Sequence, residues 1–241
     1  MNLEEQTVLV TGANRGLGRS FVDSLVEAGV RKVYATARNV DQLSFLKSAY
    51  GDKIELLTLD ITDTQQIDVA ARSASDVTLL LNNAGVLDFA KPLETDARIL
   101  NRNMTTNFEG TYNMTTRFAD VIAANGGGRI VNVLTFLCFV SAPLFAAYNA
   151  SKAASWSMAM SLRPYLRERG VEISNVFPTS IDTDMLAALD KDKDTPEDVA
   201  RSILEGVVAE QEDIFPCGAR ATFDRWREDY KAVEMAFSKI A

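Results

Sequence analysis

The chain commits itself to a nucleotide-handling layout within its first thirty residues. Val8-Leu-Val10 runs into Thr11-Gly-Ala-Asn-Arg-Gly-Leu-Gly18, and Ser20 to Ala28 then reads as a helix with Phe21, Leu25 and Ala28 on one stripe. Strand, glycine turn and helix follow one another directly. Glycines without a Cβ let backbone approach a ligand closely, and the helix that follows offers free N–H groups at its N-terminus. A dinucleotide pyrophosphate needs both. An ordinary βα turn is the competing reading, but this strand-to-helix context favours nucleotide binding.

Beyond that turn, strand and helix patterns alternate. Strands are predicted near 6–11, 32–37, 54–59, 77–82, 129–135 and 171–177, with helices near 17–29, 41–49, 63–74, 95–125, 148–169 and 196–210. The strands are apolar runs such as Val77-Thr-Leu-Leu-Leu81, as a parallel sheet covered on both faces requires. Gly29 and Gly170 stand where helices end, and Thr195-Pro-Glu-Asp198 opens another helix. The expectation is an α/β fold, a doubly wound parallel sheet of Rossmann type, in a single domain over 1–241. Phe215-Pro-Cys-Gly218 reads as a last edge strand, followed by a charged helix containing Trp226. Alternating charges in Leu189-Asp-Lys-Asp-Lys-Asp194 predict a solvated loop.

A second feature carries chemistry. Tyr148 and Lys152 lie at i,i+4 on a predicted helix, so phenol and ammonium share a face. A nearby cation stabilises a phenolate and makes tyrosine a usable acid near neutrality. Spacing alone fits a solvated pair equally well. The chain has no histidine and only Cys138 and Cys217, which removes Ser-His and Cys-His triads and the usual metal ligands. Cys138 reads as packing rather than as a nucleophile. A net charge of −8 argues against nucleic-acid or anionic-membrane partners. Ile130 to Tyr148 approaches membrane-span length, but Asn132, Thr135, Ser141 and Pro143 interrupt it. The N-terminal Met1-Asn-Leu-Glu-Glu-Gln6 has no secretory pattern, which predicts a cytoplasmic protein.

Charge also bears on the cofactor. At the end of the second strand, where an acid would hold the ribose hydroxyls of NAD, the chain has Ala37 and then Arg38. Arg38, with Arg15 from the glycine turn, predicts charge-assisted contacts to a 2′-phosphate and so NADP.

Thr-Gly-x-x-x-Gly-x-Gly at 11–18, Asn82-Asn-Ala-Gly85 and Tyr148-x-x-x-Lys152, in that order, resemble the short-chain dehydrogenase/reductase family over nearly the whole chain. The resemblance implies cofactor contacts from Gly12, Asn14, Arg15, Gly16, Leu17 and Gly18. It puts Asp60 and Ile61 at the adenine and Asn82, Ala84 and Gly85 at the middle of the cofactor. Pro178, Ile181 and Thr183 then fall at the nicotinamide end, with a substrate-covering loop near 183–195. It implies hydride transfer to a carbonyl carbon, with Tyr148 protonating the oxygen and Lys152 lowering the phenol pKa and binding the nicotinamide ribose. Asn107 would organise a water relay to Lys152. Two positions depart from the family. Thr135 stands where it has the serine that donates to the carbonyl, and Thr179-Ser180 replaces a glycine after Pro178. The threonine methyl restricts χ1 and crowds the reacting carbon. Ser141 is the fallback donor.

Around this centre the sequence is apolar: Phe136, Leu137, Phe139, Leu144 and Phe145, then Val86 and Leu87, then Met185 and Leu186. An uncharged, hydrophobic ketone, aldehyde or alcohol is the expected substrate. Carrier-protein thioesters are disfavoured, since an acidic carrier would meet an acidic enzyme. The competing readings are an NADP-binding sensor with weakened or lost turnover and a structural subunit. Trp156, Met158 and Met160 share the Tyr148 helix, where the family packs subunits, so a homodimer or homotetramer is expected.

Overall fold

The computed structural model describes residues 1–190 and 192–239. Seven strands, β1 (Thr7–Val10), β2 (Lys32–Ala37), β3 (Ile54–Thr58), β4 (Leu79–Asn82), β5 (Gly128–Val133), β6 (Val171–Val176) and β7 (Asp213–Ile214), form one sheet. Every pairing is parallel and the order is β3-β2-β1-β4-β5-β6-β7. The strand order reverses between β1 and β4, so a crevice opens at their carboxyl ends. The chain is a single Rossmann-type domain.

Helices α1 (Gly16–Glu27), α2 (Ser44–Tyr50) and α7 (Pro196–Val208) cover one face; α3 (Thr64–Ser73), α5 (Thr111–Ala124) and α6 (Ala146–Arg167) cover the other. Side chains alternate across the sheet as the pleat demands. Val8 and Val10 join Phe21, Leu25 and Ile203 on the first face, while Leu9 joins Ile67, Phe118 and Ile122 on the second. Burial on both faces is why the central strands β1 and β4 read as largely apolar runs.

Two elements differ from the sequence expectation. The helix predicted over 95–125 is three pieces: α4 (Ala97–Asn103), a π-helical turn at Met104–Gly110, and α5. The widened turn carries Asn107, in keeping with the habit of π-bulges to sit at functional sites. The edge strand expected at 215–218 is instead Asp213–Ile214. Phe215 leaves the sheet for an aromatic cluster and Cys217 takes a positive φ of 51°, which no strand accommodates. After it come α8 (Ala219–Glu228), which holds Trp226, and α9 (Tyr230–Phe237). In the charged tract near 190, Lys191 lies outside the described residues. Among the described residues, no helix is long and apolar enough to cross a membrane, and no cluster suits a metal ion.

Candidate active site

A cavity of about 940 Å³ occupies the crevice and runs from the glycine turn to Tyr148. At its first end, Gly12 and Gly16 adopt positive φ of 67° and 51°, which favours glycine. Gly18 is needed for space: a Cβ there would stand 2.0 Å from the Gly12 carbonyl oxygen. The Thr11 hydroxyl accepts from the N–H groups of Asn83 and Ala84, and the Asn83 amide donates to the Thr11 carbonyl at 2.9 Å. The glycine turn and the turn after β4 are thereby locked together. Helix α1 starts at this point without a side-chain cap and without an acidic residue in its first turn. Open N–H groups, room for backbone approach and no negative charge suit a dinucleotide pyrophosphate.

The wall includes Gly12, Asn14, Arg15, Gly16, Leu17, Gly18, Arg38, Asp60 and Ile61 at this end, with Ala84 and Gly85 further along. Asn14 is held by Gln42 at 3.0 Å, and Asp60 accepts from the N–H and hydroxyl of Thr62. Arg38 is exposed and makes no ion pair among the described residues. Arg15 behaves otherwise. Its guanidinium pairs with Asp184 at 2.9 Å, tying the glycine turn to the loop after β6 rather than standing free beside Arg38. Asn82 also sits elsewhere. Its amide is buried in the sheet, donating to Thr115 and to Asn132, which in turn donates to Asn175, and Asn83 takes the cavity position instead. The cause is the pleat: Asn82 ends β4 in register with Asn132 and Asn175, so the three amides line one face as a ladder.

At the far end, α6 brings Tyr148 and Lys152 into the cavity wall, both nearly fully buried, and Thr135 lies beside them after β5. The Thr135 oxygen accepts from the Leu137 N–H at 3.2 Å, capping a short 3-10 turn. That leaves its proton free to donate. Lys152 donates to the Val133 carbonyl at 2.8 Å, with its nitrogen 5.8 Å from the Tyr148 ring centre. In this arrangement burial dominates the phenol: it pushes the Tyr148 pKa well above its ordinary value, the Cys138 thiol adds to that, and the Thr135 hydroxyl opposes it. Lys152, turned toward a carbonyl rather than the phenol, does not reverse this. Burial draws Lys152 itself down to about 8, with Cys138 acting in the opposite direction. Although Cys138 keeps part of its surface exposed, burial of the thiol pushes it up to about 12, which leaves it protonated and inert. Ser141 lines a separate groove and not the cavity that holds Tyr148.

Asn107 holds the centre together. Its side chain accepts from the Val86 N–H at 2.8 Å and donates to the Val86 carbonyl and to Ser151, while its carbonyl accepts from Ser155. Gly85 allows the close approach, because a Cβ there would lie 3.1 Å from the Asn107 side-chain oxygen and 3.5 Å from the Lys152 nitrogen. Pro178 accepts from the Phe136 N–H, and Ile181 bridges Asp194, so the loop between them is pinned at its base. Thr183 packs over Gly16, and Met185, Leu186 and Leu189 turn into the cavity.

Residues 6–194 match the short chain dehydrogenase family model. The chain belongs to the short-chain dehydrogenase/reductase family. It is an oxidoreductase by that membership. It is 30% identical to a 3-oxoacyl-(acyl-carrier-protein) reductase of Vibrio harveyi, over 80% of each chain. It is 29% identical to carbonyl reductase (NADPH) 2 of Sus scrofa, over 85% of this chain and 82% of the other. A short chain dehydrogenase from Burkholderia cenocepacia, solved in complex with NADP, superposes with a TM-score of 0.91 at 33% identity, covering 98% of this chain and 99% of that one.

Thr11 and Asn83 belong to the Thr-Gly and Asn-Asn-Ala-Gly motifs, whereas Ser151, which accepts from Asn107, and Phe237 hold no fixed position in any motif. Phe237, which lines the cavity from α9, had only an i,i+4 spacing to Val233 to announce it.

Proposed function

We propose that this oxidoreductase uses NADPH to reduce an uncharged, hydrophobic ketone or aldehyde, reversibly, with Tyr148 as the general acid and base. The observation that carries the reading is the meeting of Tyr148, Lys152 and Thr135 at the apolar end of a cavity whose other end is the glycine turn with Arg38. A dinucleotide held along this cavity would supply the hydride. Thr135 donates to the carbonyl oxygen and Tyr148 delivers its proton there as charge develops. Lys152, in its charged form, would hold the nicotinamide ribose and stabilise the phenolate left on Tyr148, and Asn107 ties the Val86 main chain to Ser151 and Ser155 of the helix that carries Tyr148 and Lys152. The loop at 183–195 covers the substrate and excludes water. Arg38 is the phosphate-recognising residue, and the NADP complex of the Burkholderia relative supports NADP as the cofactor.

The two relatives differ in what their names say they reduce. The carbonyl reductase is the better guide, because Phe145, Leu186 and Phe237 wall the reacting end while the chain as a whole carries a charge of −8 that disfavours an acidic carrier. A cytoplasmic setting is supported by two unpaired cysteines. Assembly as a homodimer or homotetramer is part of the proposal, although Trp156 packs inside its own chain against Phe139 and Phe177, leaving Met160 exposed. Light scattering decides it.

Oxidation of NADPH and NADH in the presence of aryl ketones, cyclic ketones and aldehydes, followed by the absorbance of reduced nicotinamide, tests the reading. Turnover with NADPH is expected. Exchanging Arg38 for Asp is expected to weaken NADPH at least tenfold more than NADH, on the order expected for losing a charge-assisted contact; equal losses would remove Arg38 from phosphate recognition. A sensor without turnover is the second reading, favoured by a threonine at 135 in place of serine and by the raised Tyr148; tight NADPH binding with no oxidation over the whole panel would establish it.

A further inference from the structure

The segment after 194 lies beyond the family match, yet it reaches the reacting end of the cavity. Helix α9 is started by Asp229, whose carboxylate accepts from the Ala232 N–H at 3.0 Å. It turns two apolar residues inward, Val233 and Phe237, one helical turn apart, while Met235 is 61% exposed. The Phe237 ring centre lies 5.5 Å from that of Phe136, the residue after Thr135. Leu137, the next residue, packs both with the α8–α9 apolar cluster and with the cluster around Tyr148. Thus α9 is joined to the hydrogen-bond donor and to the acid through consecutive residues of one short turn.

We propose that Phe237 is a specificity-determining residue, the outer wall of the substrate end, and that together with Phe145 it selects a carbonyl compound bearing an aromatic ring. The rings of Phe145 and Phe237 favour an aromatic group over an aliphatic one of the same size by edge-to-face or offset contact, by about three- to tenfold in affinity. The exposed Met235 on the opposite side of α9 takes no part. This assignment rests on the carbonyl-reductase reading of the same site and narrows it to a substrate class.

The test compares phenyl methyl ketone with cyclohexyl methyl ketone on the full-length protein. For wild type, Phe237→Leu, Phe237→Ala and, as a control, Met235→Ala, it measures kcat/KM with NADPH. It also measures calorimetric binding of each ketone to the enzyme saturated with NADP⁺, where turnover cannot occur. Phe237→Leu keeps apolar volume in the wall and is expected to cut the phenyl-over-cyclohexyl preference about three- to tenfold, mainly through KM. Phe237→Ala is expected to weaken both ketones, Met235→Ala neither, and NADP⁺ affinity is expected to stay within about twofold throughout. An unchanged phenyl-to-cyclohexyl ratio in Phe237→Leu, in both kinetics and binding, overturns the assignment while leaving the reductase reading intact. Binding that shifts as expected without turnover in any protein supports Phe237 and sinks the reductase reading. Failure of wild type to bind either ketone overturns the aromatic substrate class.

Discussion

At the glycine-turn end of the cavity, a Cβ added to Gly18 would stand 2.0 Å from a carbonyl oxygen of Gly12, and the neighbouring turn is tied down by Thr11 and Asn83 through main-chain groups. At the other end the wall is made of side chains, Phe136, Phe145, Leu186 and Phe237, contributed by three separate stretches of the chain. The first end is shaped by backbone, which tolerates almost no exchange at Gly18. The second uses interchangeable volumes on elements of modest size. One family fold can therefore keep a cofactor site fixed while the residues facing the substrate vary, since only the former depends on the path of the main chain.

The sharpest way to break this contrast is at its two chemical extremes. Tyr148→Phe removes the acid and is expected to lower kcat by about 10²- to 10⁴-fold while NADPH affinity, measured by titration, is nearly unchanged; retained turnover would remove Tyr148 from the chemistry. Gly18→Ala is expected to cost about 1–3 kcal/mol of stability, by analogy with overpacking, and to weaken both nicotinamide cofactors together. Calorimetric unfolding and cofactor titration read these out, and a variant with wild-type values would show that the backbone is free to shift.

A pH profile comes next. Lys152 is drawn down to about 8 by burial, so its charged form, present below that value, is lost as pH rises through it, whereas the raised Tyr148 keeps its proton over the same range. Binding of NADPH is expected to weaken as pH rises through about 8, and the same titration of Lys152→Met is expected to be flat there. A profile shared by both proteins would locate the titrating group elsewhere. The smallest effect belongs to Thr135→Ser, which keeps the hydroxyl and removes a methyl: kcat is expected to stay within about threefold or to improve. A large loss would show that the methyl fixes the hydroxyl's direction, and would make this part of the substrate end as intolerant as the glycine turn.

The sheet was legible in the sequence because central strands such as β1 and β4 are buried on both faces and read as largely apolar runs, and the glycine turn was legible because its geometry admits few other residues. What escaped depended on partners distant in sequence. Nothing near Arg15 announces Asp184, and register across three strands, rather than the local motif, draws Asn82 into the ladder and gives the cavity to Asn83. The split of the 95–125 helix ends at Gly110, where an added Cβ would stand 2.9 Å from the Ile61 carbonyl oxygen, but a lone glycine does not foretell a π-helical turn, in which Asn107 bonds to Val86, Ser151 and Ser155. Helix α9 carries only two inward residues among charges, too short a pattern to distinguish from a surface turn.

The aromatic cluster has an optical consequence. The chain has two tryptophans, and both Trp156 and Trp226 lie against the same ring, Phe139, at 4.7 and 5.2 Å between centres. Indole emission from this protein therefore originates in one neighbourhood, under α8 and beside the turn that follows Thr135, while the glycine-turn half emits through tyrosines alone. Excited at the red edge, the protein reports on the seating of its C-terminal helices and is blind to the first three strands, so an unfolding curve taken by tryptophan and one taken by cofactor release are measurements on opposite ends of the molecule.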